Sequence, residues 1–533
     1  MPVNIFYLLL LLPLVLCDFD SDGTYFITSF LHYKVPKPSD ISLSLNFIAV
    51  HDGPTSVTVK YFSKLNKQNI KTTMTITNDK ITTFPLEYAD VVKDDYLLDG
   101  IVIPVPDPRI IISSDNNIKV IARLLNLVTG LGDTYEVPPT AMLGAPVIIK
   151  LPKANPGAAQ LIHIMTTETD LAIGFVKEFV NGQAGLTQAV KIDFALGSNQ
   201  AIIAVPFDNK DRSYYIECST PLFFTVVTTC VDLNFASGFP FSSQTTPCDY
   251  AAYHPLPIFS WDCKHLLSNP TDLKMTTNRF THSLYAAPSN VVCDNEVFVD
   301  IYTDKKPING SKLIIKTFQS ATINLLPAKE YGVQSTHTFD SLVRFGGTTH
   351  TFITSQLLNA FLVNVPDSTQ YVTGMSKFVT FSSTTYLEIY TSSTADESKF
   401  LINGKAVDKK KTEIINIPFF DTKFKSIVIT INLVGQVSFV CDQDYILYVI
   451  GPNLDKIDPS IKYKTSYYGY LAGFMKSGLT FSTITATTPK GIHNPTSGIS
   501  TTTSLSTTTH NNSNAVKYCL VSSFFLISIS LIL

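Results

Sequence analysis

Three groups of side chains have the types and spacing to do chemistry, and each also has a plainer reading. Asp18, Asp20 and Asp22, followed by Gly23, match the first half of a calcium-binding loop, in which carboxylates at alternate positions converge on one ion. Such a loop needs a bidentate Glu at its twelfth position. Ser29 stands there, so an acidic, solvated segment is the better reading. Asp442 and Asp444 flank Gln443 directly after Cys441. Paired carboxylates can run glycoside hydrolysis, yet a turn beside a disulfide is the more economical interpretation. The 10 His are dispersed, with neither HExxH nor HxH spacing for zinc, and His163, in LIHIM, reads as a hydrogen-bonded residue of an apolar strand. No GxSxG elbow supplies a serine nucleophile on a strained turn. The expectation is a protein that is not an enzyme and that uses no cofactor and no metal.

Cysteine usage is consistent with that expectation. Of the 8 Cys, Cys17 and Cys519 lie in terminal apolar segments that processing would remove. Cys218, Cys230, Cys248, Cys263, Cys293 and Cys441 remain, an even set that reads as a disulfide framework rather than as thiol chemistry. Spacing does not choose among the connectivities. Cys293 with Cys441 is the preferred pair, because both border strands of the second half.

The elements that carry these residues read as strands. Hydrophobic residues are 45% of the chain and charged residues 16%, enough apolar surface for large cores, and 35 Phe and 24 Tyr suit strands better than helices. The length allows roughly two to four domains. Period-2 alternation is clean in SVTVKYF (56–62), and TMTITNDKITTF (73–84) reads as two strands around Asn78 and Asp79. Further strands are expected at 118–124, 201–207, 223–229, 296–302, 426–433 and 436–440, while SQLLNAFLV (355–363) fits a short helix or a strand equally well. FLINGKAVD (400–408) carries the strongest hairpin signal, since Asn403-Gly404 tolerates the positive φ angles of a type I′ turn. No fixed repeat of 20–50 residues is visible, which disfavours solenoids and propellers. The fold class expected is all-β: two β-sandwich-like regions, 18–255 and 256–478, with a disulfide-stapled junction around the lone Trp261.

The two ends suggest an address. Residues 1–17 (MPVNIFYLLLLLPLVLC) form an apolar run of secretory-signal length, with Val15 and Cys17 at the −3 and −1 positions of a cleavage site. Residues 479–513 are a Ser/Thr-rich stretch that cannot bury enough apolar surface to fold and resembles a glycosylated stalk. Residues 514–533 end in an apolar tail that is short for a bilayer, about 24 Å of helix against roughly 30 Å of hydrocarbon, and no charge follows it. This pattern fits a lipid-anchor signal, with attachment at Ser513 or, second, Asn512; a single-pass tail is the alternative. Sequons stand at Asn309 and Asn511. A net charge of −3 and only five Arg (Arg109, Arg123, Arg212, Arg279 and Arg344) leave no clustered cationic surface, which argues against nucleic acid as a partner.

Ile112-Ser113-Ser114, Ile118-Val120-Ala122, Asp133-Tyr135-Val137-Pro138 and Leu143-Gly144 follow one another within residues 110–152. This series resembles the IgGFc-binding protein N-terminal domain family, a large extracellular β module. DGTYFITSF (22–30) and SVTVKYF are similar to that family's opening strands, and SYYGYLAGF (466–474) to its closing Tyr-Gly segment. The resemblance implies an adhesive, mucus- or matrix-associated binding protein and brings no catalytic residues. The function expected is therefore a lipid-anchored cell-surface protein on the outer face of the plasma membrane. It would present a β body to extracellular protein or glycan ligands. A surface-anchored glycan-processing hydrolase is the alternative.

Overall fold

The computed structural model describes residues 19–34, 37–92, 99–167, 171–206, 208, 210–231, 249–258, 273–287, 296–316, 319–325, 330–335, 341–346, 360–453 and 467–476. Two compact units divide the chain: Asp20–Lys476, and residues 1–19 taken with 477–533. Apart from Phe19, the second unit lies outside the described residues, and with it Cys17, Asp18, Asn511, Asn512, Ser513 and Cys519. Cys248, Cys263, Cys293, Trp261 and most of 355–363 also lie outside them.

The protein is all-β, with Tyr88–Val91 the one short α-helix among the described residues. Strand pairing groups the strands of Asp20–Lys476 into four modules. The first is organised on Ile110–Asn126, too long a strand to stay in one flat sheet. It bends at the exposed Asp115, Asn116 and Asn117. Before the bend it pairs with Gly23–Thr28 and Thr55–Ser63, and beyond it with Ile41–Ala49 and Gly132–Val137. The sheet therefore folds over on itself. Ile110, Ile112, Ile118, Val120, Ala122 and Leu124 point into the enclosed core, while Ile121 points out, into the core of the fourth module.

The second module stacks two sheets. One runs Asp249–Tyr253, Leu222–Val231, Ala159–Thr166, Gln200–Pro206 and Val102–Val105; the other runs Val147–Ile149, Arg212–Cys218, Ala172–Val180 and Gln183–Ile192. The third repeats that order, without a counterpart of Val102–Val105. Its sheets are Phe361–Asn364, Ser341–Gly346, Thr281–Ala287 and Ala321–Asn324, and Lys274–Thr277, Glu330–Ser335, Glu296–Thr303 and Lys306–Lys316.

The fourth module repeats the first, with Thr412–Asn416 as an added edge strand. Its long strand Gly435–Pro452 bends at Asp442, Gln443 and Asp444. It pairs with Val372–Thr380 and Leu401–Ile402 before the bend and with Thr385–Ser392 and Tyr467–Gly473 beyond it. The described residues thus form two kinds of β module, each twice, in the order first kind, second kind, second kind, first kind.

Local chemistry accounts for the strands. In Thr55–Ser63, Val57 and Val59 are fully buried while Ser56, Thr58 and Lys60, which alternate with them, are half-buried on the other face. LIHIM and AIIAVP read as unbroken apolar runs because their sheet is covered on both faces: Leu161 and Ile202 enter the first module's core, and Ile162, Ile164 and Ile203 enter the second's. Asn403 and Gly404 take φ of 49° and 72°, and Ile402 pairs with Lys405 across them, the expected two-residue type I′ hairpin. Asn181 and Gly182, with φ of 50° and 75°, turn the hairpin between Val180 and Gln183 in the same manner, a second instance of a signal read at only one place. Gly404→Val is expected to destabilise the body by about 1–3 kcal/mol through backbone strain, with Gly404→Asn much milder. Thermal unfolding of the whole body checks this, and equal midpoints for the two variants would contradict it.

Three of the six framework cysteines are described. Cys230 is disulfide-bonded, and Cys218 and Cys441 carry free thiols. Cys293, the partner expected for Cys441, lies outside the described residues. Cys441 occupies an inward position in the fourth module's core, where it packs as a small apolar side chain, and burial pushes its thiol pKa up. The Cys218 sulfur sits on the Ile173 carbonyl at 3.1 Å.

Candidate functional site

Polar side chains gather where the four modules meet, buried except for the half-buried Arg123. Asp133 opens the strand Gly132–Val137 of the first module, and Asp249 opens Asp249–Tyr253 of the second; both are 0% exposed. They exchange main-chain bonds. Asp133 Oδ2 accepts from Ala252 N at 2.8 Å, and Asp249 Oδ1 accepts from Gly132 N at 3.1 Å. Asp249 Oδ2 also accepts from Ala360 N of the third module at 2.8 Å. Asn453, on the fourth module, donates through Nδ2 to the Gly132 carbonyl at 3.0 Å, and its own carbonyl accepts from Arg123 Nη2 at 2.6 Å. The Arg123 guanidinium lies over the Phe381 ring at 4.1 Å. Gly132 is required at this point: its φ is 142°, and a Cβ would stand 2.1 Å from the Leu124 carbonyl oxygen. Burial pushes the Asp133 pKa well above the carboxylate range, and the nearby Asp249 charge adds to the shift.

Two histidines close the seam between the first and second modules. His163 Nδ1 bonds Ser29 Oγ at 2.8 Å, so the expected hydrogen-bonded core role holds. His254 Nδ1 lies 2.7 Å from the Phe224 carbonyl, which only accepts, so Nδ1 carries the proton and Nε2 takes the Thr28 hydroxyl at 3.1 Å. Burial pulls His163 down to about 3 and His254 to about 4, so both are neutral at physiological pH. Tyr135, from the D-x-Y-x-V-P stretch, donates to the Ser29 carbonyl at 3.3 Å. Fourth-module tyrosines from the Tyr-Gly segment act similarly. Tyr470 Oη accepts from Val379 N at 2.9 Å, and Gly469 leaves room for Phe361, which would lie 2.6 Å from a Cβ there.

The other singled-out residues are not brought to this node. Asp22 pairs with Lys119 Nζ at 2.6 Å, alongside Glu136 at 3.3 Å, whose carboxyl burial pushes up to about 7. Asp442 and Asp444 are exposed at the bend of their strand, Asp442 on Lys399 at 3.0 Å and Asp444 accepting from the Thr373 hydroxyl. They sit on a strand corner beside a free thiol, not on a turn beside a disulfide. Asn309 lies exposed on Lys306–Lys316. Sequence reasoning touched Asp133 only as part of a family pattern and missed Asp249, Asn453 and Arg123. The available signal was a charged or amide residue beside an otherwise apolar strand. Chemically, the node exchanges hydrogen bonds among main chains of different modules and so fixes their relative placement. No family model matches the chain, and no curated protein matches it.

Proposed function

We propose that the protein is an extracellular binding or adhesion protein, a rigid β body carried on the Ser/Thr-rich stalk and held at the outer leaflet by a lipid anchor. The observation that carries this reading is the node, which locks four modules into one body whose outer faces keep fixed spacing. Those faces present large apolar side chains, among them Phe175 (37% exposed) and Phe298 (40%) on corresponding strands of the second and third modules. Exposed aromatics on a rigid scaffold are suited to binding a protein or glycan ligand.

The test immobilises residues 18–478 and offers extracellular glycoproteins and a glycan array. Saturable binding is expected, weakened about tenfold or more by Phe175→Ser with Phe298→Ser, as for loss of an interface anchor. Binding that this double substitution leaves unchanged would refute the assignment of the surface. Phosphatidylinositol-specific phospholipase should release the full chain from intact cells; retention, with a tag after Leu533 still present, would refute the lipid anchor.

A further inference from the structure

The strand Lys306–Lys316 forms one edge of its sheet, and among the described residues no strand pairs with its outer side. An open edge is a row of unmet main-chain donors and acceptors, a template for pairing with another chain. Here the edge departs from regular pairing. Ile301 pairs with Ser311 and Thr303 with Lys306, so Tyr302 alone stands opposite residues 307–310, which bulge outward. Gly310 keeps the base of the bulge tight, since a Cβ there would lie 3.2 Å from Asp300 Cβ and from the Ile301 main chain. Pro307 removes one donor, and Lys306, Lys312 and Lys316 place charge along the strand. Against these protections stand apolar side chains on the same strand: Ile308 is 85% exposed and Ile314 50%. Asn309 is exposed beside Ile308 at the outer limit of the bulge, and with Gly310 and Ser311 it forms the Asn-Gly-Ser acceptor.

The corresponding edge in the second module, Gln183–Ile192, has no sequon. It begins at a turn whose Gly182 carbonyl is held by Gln319 Nε2, from the stretch that follows Lys306–Lys316. The sequon therefore stands on the edge whose bulge carries the more exposed apolar side chain, Ile308 at 85% against Leu186 at 57%.

We infer that an N-linked glycan on Asn309 is the cap of this edge, shielding Ile308 and preventing two copies of the chain from joining edge to edge. This rests on the extracellular reading above, because only the secretory route attaches such a glycan. A bulky, hydrated oligosaccharide on the bulge keeps a second strand from approaching to the roughly 4.8 Å that sheet pairing requires. Two chains that do pair there would form a two-fold dimer through the same strand of each.

The experiment expresses the full chain in glycosylating eukaryotic cells and compares wild type with Asn309→Gln and Ser311→Ala, which remove the acceptor in different ways. Peptide mass spectrometry after enzymatic deglycosylation reads occupancy, and light scattering reads mass. Wild type is expected to be glycosylated at Asn309 and monomeric. Both variants should become concentration-dependent dimers, and adding Ile308→Lys to Asn309→Gln should restore the monomer. Wild type glycosylated at Asn309, with both variants monomeric over the same concentrations, overturns the cap and leaves the extracellular reading standing. A secreted wild type unmodified at Asn309 also overturns the cap alone. A chain that stays in the cytosol overturns the reading on which it rests.

Discussion

Asp249→Ala is expected to be the most damaging single substitution in the body. It strips the acceptor from three buried main-chain donors, Gly132 N, Tyr250 N and Ala360 N, which belong to three different modules' strands or their flanks. A buried donor left unmet costs about 1–3 kcal/mol, so a loss on the order of 4 kcal/mol follows even after partial relaxation. Because the lost bonds join modules, the calorimetric transition should split into two or more, with the parts losing their common midpoint. Asp249→Asn keeps one oxygen but turns an amide donor toward a main-chain donor, so it should be intermediate. It should also remove the charge that raises Asp133, whose carboxyl would then titrate closer to the ordinary range. A single, unshifted transition in Asp249→Ala would remove the node from the account of rigidity.

Acid is expected to unfold the body well before ordinary surface carboxylates are neutralised, and buried histidines are the cause. His163 is pulled to about 3, and His254 and His282 to about 4, all by burial. In the unfolded chain each titrates near 6.5. A folded-state pKa below the unfolded one gives stability that is complete above about pH 6.5 and lost as pH falls toward 3–4. By pH 4 each histidine should have cost about 3 kcal/mol. Glu136 works in the opposite direction. Its carboxyl is raised to about 7, so folding gains about 3 kcal/mol as pH falls from 7 toward 4. Asp133, held well above the carboxylate range, works in the same direction as Glu136; the three histidines together outweigh the two carboxyls, and the thermal midpoint should fall between pH 6.5 and 4. His163→Gln and His254→Gln should each flatten that slope while lowering the midpoint at pH 7. Slopes equal to wild type in both variants would contradict the proton linkage.

The sequence by itself determined the elements whose cause is local. The turn at Asn403-Gly404 forms because two residues that tolerate positive φ stand between strand formers, and nothing distant is needed. The inward Val57 and Val59 follow from alternation alone, and His163 was legible as a core residue because apolar neighbours flank it on both sides. Only the tertiary structure decided partners. Gln68–Ile76 and Thr82–Leu86 are neighbours around Asn78 and were expected as strands, yet they end at opposite edges of their sheet, one on Thr55–Ser63 and the other on Ile41–Ala49. The repetition of both modules, the bend that gives one long strand two sets of partners and the meeting of Asp133, Asp249 and Asn453 were likewise invisible. The physical reason is that sheet pairing joins main-chain groups that are alike in every residue. A strand's own side chains state which face is apolar, while its neighbour is chosen by how all the apolar faces of the chain can be covered at once.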